Sequence, residues 1–163
     1  MLKKKFILPA LGILFILIQF IRIDKTNPPI DIEKDFITIH QPTDAIAVNL
    51  KEACYDCHGH TTKYPWYTNI APVSWWIKGH INNGRKHLNF SVWGDYSEKK
   101  QNHKLEENIE FLENRWMPLG TYKLLHPEAK LSEEEYEEMI AFFKKLRGWA
   151  KLYISNLCNM NCN

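Results

Sequence analysis

Alternation, repetition and net charge are nearly absent from this sequence. No internal repeat or low-complexity tract occurs, and strand-like alternation of apolar and polar residues is scarce, so a sheet-built fold is not expected. The formal charge is only +2, and most of the imbalance sits at one end. Residues 1–25 hold five basic side chains against Asp24, while residues 26–163 carry 16 basic and 18 acidic ones. So nearly neutral a body offers no field for a polyanion, which excludes nucleic acid as a partner. No nucleophile–base pair stands out, and acidic runs such as "SEEEYEE" read as solvated helix faces. Cysteine is rare too: there are four in 163 residues, so any chemistry they carry has to be read from their spacing.

What is present begins with one long apolar run. Lys3, Lys4 and Lys5 precede "FILPALGILFILIQFI", residues 6–21, in which Gln19 is the only polar side chain. A basic flank before such a run describes a signal or anchor segment. The run ends at Arg22, Asp24 and Lys25 without the small-residue pattern of a cleavage site, so an uncleaved anchor over residues 1–23 is expected. That orientation keeps the lysines in the cytoplasm and exports the remainder to the periplasmic side of a bacterial inner membrane. Residues 24–42, polar and proline-containing, read as a linker.

The rest reads as helical. Thr43 or Asp44 caps a segment in which Ile46, Leu50, Cys54 and Cys57 share a face. Residues 73–88 and 98–116 repeat apolar side chains at helical spacing, the second ending on Leu112 and Trp116. Ser132 and Glu135 form a capping box for a last helix with stripe Tyr136, Met139, Ile140, Phe143 and Leu146, and Gly148 reads as its stop. The expectation is an all-α domain over residues 43–150, of four or five short helices with aromatic-rich connections long enough to wrap a cofactor. Residues 151–163 form an Asn-rich tail in which Cys158 and Cys162 have no assigned role.

The chemistry concentrates in "CYDCHGH", residues 54–60. A C-x-x-C-H run sets two thiols one turn apart, able to reach the two vinyl groups on one haem edge, with the next histidine placed for the iron. Dithiol exchange would need the pair to open a helix behind a strand, and a zinc site would need a second nearby ligand pair. Neither context is present. Cys54 and Cys57 are therefore assigned to covalent attachment of one haem c and His58 to the iron.

For the opposite axial position Met117 is the first candidate, on the Met117–Pro118 step of "RWMPLG"; its alternatives are His80 and His87, with His126 behind them. Haem propionates need donors where they are buried, and Arg85, Trp66, Tyr67 and Trp76 are the candidates for that pocket.

With "CYDCHGHTTKYPWYTNIAPVSWWIKGHINNGRKHLNFSVW" and "MPLGTYKLLH" on the page, the sequence resembles the small haem-binding domain proteins of Bacteroidetes-type bacteria. The resemblance covers about residues 31–148 and implies a membrane-anchored module with a single c-type haem, not a particular reaction. The functional expectation is an electron carrier with His- and Met-ligated iron and an unidentified redox partner. A haem-based sensor or a peroxidase-like enzyme with a displaceable distal ligand is the alternative.

Overall fold

The computed structural model describes residues 6–161, with side chains through Gly148. Eight α-helices are described: α1 (Ile7–Ile18), α2 (Phe36–His40), α3 (Asp44–Ala53), α4 (Tyr55–His58), α5 (Val73–His87), α6 (Glu98–Glu113), α7 (Gly120–Leu125) and α8 (Glu133–Asn161). Short 3₁₀ turns join several of them, and no strand occurs among the described residues. The all-helical expectation therefore holds.

The caps follow from local chemistry. Thr43 Oγ1 accepts from the Ile46 amide to start α3, and Ser97 does the same for α6 at the Lys100 amide. At α8 the capping box is complete: Ser132 Oγ accepts from the Glu135 amide, and a Glu135 carboxylate oxygen accepts from the Ser132 amide. Gly148 does not end that helix, which continues to Asn161. A glycine inside a helix costs about 1 kcal/mol, too little to stop it alone.

Helix α6 lies along α8, burying Leu105, Ile109 and Leu112 against Tyr136, Met139, Phe143 and Leu146. The second half of the core is aromatic. Phe36 meets Trp93 edge-on at 4.8 Å between centroids, Phe90 at 5.0 Å and Phe143 at 5.8 Å. Phe36 comes from the stretch read as a linker, yet it is wholly buried. The linker reading is corrected here: Asp31 and Asp35 accept from the Glu33 and Ile37 amides, so the polar residues of this stretch are caps that fold it onto the core. Trp116, placed on the inner face of α6 by periodicity, is exposed instead, because Arg115 turns into the left-handed region (φ 56°) and ends the helix before it.

The N-terminal segment also departs from expectation. Helix α1 is 12 residues, about 18 Å long, against a hydrocarbon core of about 30 Å. Among the described residues no helix is long and apolar enough to cross a membrane. Its side chains are nonetheless exposed, and the chain beyond it is tied to the domain. Gln19 exchanges two hydrogen bonds with the Ala71 backbone, and Trp75 Nε1 donates to the Ile21 carbonyl.

Candidate functional site

The cysteine segment sits on a break between two helices rather than along one. Helix α3 ends at Ala53, Cys54 takes a non-helical conformation (φ −126°, ψ −46°), and α4 begins at Tyr55. The amides of Cys57 and His58 both donate to the Cys54 carbonyl, which keeps the two thiols one turn apart.

Helix α5 lies unusually close to this turn. A Cβ on Gly84 would come 2.6 Å from the Cys57 carbonyl oxygen and 3.3 Å from Cys57 Cβ, so only glycine allows the approach. The approach brings the carbonyls of Gly84 and Leu88 each to 3.1 Å from His58 Nδ1. Two acceptors facing one ring nitrogen make it the protonated one. Nε2 carries the lone pair and makes no hydrogen bond among the described residues. Burial lowers the His58 pKa, only partly offset by the two carbonyls, so the ring is neutral. A neutral imidazole with Nδ1–H held by backbone carbonyl is the form in which histidine binds metals.

Both thiols are held protonated. Burial pushes Cys54 up to about 12 and Cys57 up to about 11. A dithiol exchanger needs a lowered thiol pKa, so that alternative loses its chemical basis. Nor do three or more side chains suited to a metal by themselves cluster among the described residues, so the zinc alternative finds no ligand set there.

Asp56, between the cysteines, is buried and is the residue that sequence reasoning passed over. Its Oδ1 accepts from the Lys63 amide, its Oδ2 from the Tyr122 hydroxyl at 2.8 Å, and its carbonyl from Thr62 Oγ1. It binds the attachment turn to α7 and to the loop after it. A buried carboxylate must be paired, so the acidic residue inside "CYDCH" was the available signal.

A cleft of about 100 Å³ opens beside Cys57, walled by Tyr67, Trp76, His80, Ile81, Tyr122 and His126 among others. Of the proposed pocket residues, Tyr67 and Trp76 line it, while Trp66 points to solvent, 73% exposed. Arg85 is engaged elsewhere: Nε donates to the Gly59 carbonyl, and Nη2 to Asn27 Oδ1 and Thr62 Oγ1. It fixes the chain that follows the attachment turn.

The axial candidates separate. His80 lines the cleft, with Nδ1 on the Trp76 carbonyl at 2.9 Å and Nε2 without a hydrogen bond among the described residues. His87 is exposed on the last turn of α5. His126 is used at both nitrogens, by Glu128 and Tyr67, and His60 likewise, by Pro29 and Asn89. Met117 is half-buried between α6 and α7, where its carbonyl accepts from the Tyr136 hydroxyl; it does not line the cleft, although Leu119 does. Cys158 and Cys162 lie outside the described side chains.

A haem fits this donor set: two protonated thiols one turn apart, a neutral histidine with Nε2 available, and a mainly apolar wall. The cleft is smaller than the roughly 300–1,000 Å³ of an enclosing ligand pocket, so it takes an edge of a macrocycle rather than the whole. A family model described as haem-binding domain matches residues 13–145. No curated protein and no solved structure matches the chain.

Proposed function

The chain belongs to the haem-binding domain family, and on that premise we propose that it carries one c-type haem on Cys54 and Cys57 and serves electron transfer. The observation that carries this reading is the His58 ring, held by the Gly84 and Leu88 carbonyls at Nδ1 with Nε2 left for iron. The bound haem supplies the one-electron couple. The chain's own part is to tether it through two thioethers, to hold His58 in one tautomer and orientation, and to keep water off one edge with the wall from Tyr67 to Leu125.

Met117 is proposed as the distal ligand and the exported side of a bacterial inner membrane as the location, since haem attachment to such a motif takes place outside the cytoplasm. The exposed apolar helix α1 supports contact with lipid, and the chain's partner is a one-electron carrier protein. Denaturing electrophoresis with a haem stain tests the reading. Colour in the protein band that is lost in the Cys54→Ala, Cys57→Ala double variant supports it, and colour persisting in that variant overturns thioether attachment.

One observation favours a second reading. His80 shares the cleft with Cys57, and its Nδ1 is held by a backbone carbonyl just as His58 Nδ1 is. A distal His80, or a site left open beside it, would suit a sensor, a small-ligand binder or a peroxidase-like enzyme. Carbon monoxide binding to the reduced protein separates these, because a firmly held methionine leaves little room for it.

A further inference from the structure

From Cys57 to Gly94 the chain carries no aspartate or glutamate, although 19 occur in the whole, and Lys63, Lys78, Arg85 and Lys86 make the stretch cationic. The same stretch exposes large apolar side chains: Trp66 is 73% exposed and Trp76 51%, with Ile70 and Val73 exposed between them. It is also where the N-terminal segment is fastened. Besides the bonds of Gln19 to the Ala71 backbone and of Trp75 to the Ile21 carbonyl, Arg22 Nη1 donates to the Asn69 carbonyl at 2.6 Å. Lys25 Nζ donates to Asn69 Oδ1 at 2.5 Å, and Asn69 Nδ2 in turn to the Trp66 carbonyl at 3.0 Å. Five bonds between residues 19–25 and 69–75 thus join the end of α1 to the start of α5.

We propose that the face made by Phe20, Ile21, Trp66, Ile70, Val73 and Trp76 lies on an anionic phospholipid surface, so that α1 and the domain meet the bilayer as one body. This rests on the lipid contact proposed for α1. Phe20 and Ile21 are 79% and 61% exposed and continue the apolar surface of that helix to the point where the five bonds begin. Lipid around α1 therefore sets the depth of residues 69–76 as well. Tryptophan rings belong at the level of the headgroups, and arginine and lysine reach lipid phosphates from the same level.

Both charge and shape favour this occupant. Lys25 and Lys78 stand 5.9 and 5.8 Å from the centre of the Tyr64 ring, and Arg22 adds a third cation, against Asp24 alone. The Asp24 carboxylate is turned to the Thr26 amide at 2.8 Å. Helix α1 has no polar side chain from Ile7 to Ile18. A helix apolar on every side calls for hydrocarbon all round it, which a protein groove along one side does not provide. Val73 and Trp76 also line the cleft, so the docked body holds the cleft at the headgroup level.

The test is photolabelling of the haem-loaded full chain on phosphatidylcholine vesicles, with and without phosphatidylglycerol. Two phosphatidylcholine tracers are used, one with a diazirine in the acyl chain and one with a diazirine in the headgroup, and the labelled sites are mapped by peptide mass spectrometry. Acyl label on α1 and headgroup label on residues 64–77, the latter stronger with phosphatidylglycerol, is the expected result. Lys78→Gln, which takes one cation from the face, should cut the headgroup label about fivefold and spare the label on α1. Trp66→Ser, at an exposed site outside the core, should lower it too. Label confined to α1 overturns the docking and gives the face to a protein, either a second copy or the redox partner. Headgroup label that is indifferent to phosphatidylglycerol, or unchanged in both variants, overturns it equally. No label on α1 overturns the lipid contact itself and the docking with it, while the haem stain still decides covalent attachment.

Discussion

The carbonyl oxygen of Gly84 lies 3.1 Å from Nδ1 of His58, and it reaches that position only because Gly84 has no side chain. A methyl group there would meet the Cys57 carbonyl at 2.6 Å, with backbone on both sides of the contact. The glycine near the C-terminal end of α5 thus sets the orientation of the histidine on α4.

Gly84→Ala should accordingly separate α5 from the attachment turn. Overpacking of this kind costs about 1–3 kcal/mol, more than alanine recovers in helix propensity. A lower urea midpoint and reduced haem loading are the expected outcomes, measured on the same preparation. Unchanged loading would show that the two carbonyls do not govern His58.

Met117→Ala and His80→Ala distinguish the axial ligands. Thioether sulfur favours ferrous iron, so loss of Met117 should lower the reduction potential and remove the weak near-infrared band of the oxidised protein. His80→Ala should leave that band in place. No such band in the wild type, with the potential changed by His80→Ala and unchanged by Met117→Ala, assigns the position to His80 and moves the sensor reading ahead of the carrier.

His40 packs against Phe36 at 4.6 Å and Trp93 at 5.8 Å, with Nε2 buried and unpartnered among the described residues. Burial lowers its pKa from 6.5 to about 4. The unfolded chain therefore takes up the proton first as pH falls, so stability is lost between about pH 6.5 and 4 and is whole above that window. Allowing for partial exposure, the loss is about 1–2 kcal/mol. His40→Phe should shrink the difference between urea midpoints measured at pH 7 and pH 4.5. An equal difference in both proteins would show that His40 does not contribute to it.

Phe36→Ala tests whether residues 24–42 belong to the folded body. Emptying a fully buried phenylalanine site costs about 3–5 kcal/mol, which a linker residue could not do. Thermal unfolding followed by circular dichroism should show a midpoint lower by many degrees. A midpoint within a degree or two of wild type would return the segment to the role of a tether.

Local signals were legible where the chemistry is local. Thr43 capping α3 and the Ser132–Glu135 box opening α8 depend on residues three apart, and the stripe from Tyr136 to Leu146 on a single period. The C-x-x-C-H spacing likewise points to haem by itself, because both thiols and the histidine lie within five residues. That much, with the helical class and the near-neutral charge, was determined by sequence alone. Only tertiary structure could decide the rest, since each remaining feature joins distant segments. Phe36 is core because Trp93, Phe90 and Phe143 close around it. Asp56 is paired because Tyr122 arrives 66 positions later, and His126 is held because Tyr67 lies 59 positions before it. His58 has a defined tautomer because α5 passes close enough to offer two carbonyls 26 and 30 positions away. Hydrogen bonds and close packing act over a few ångströms in space whatever the separation along the chain, and periodicity carries no record of which segments will meet.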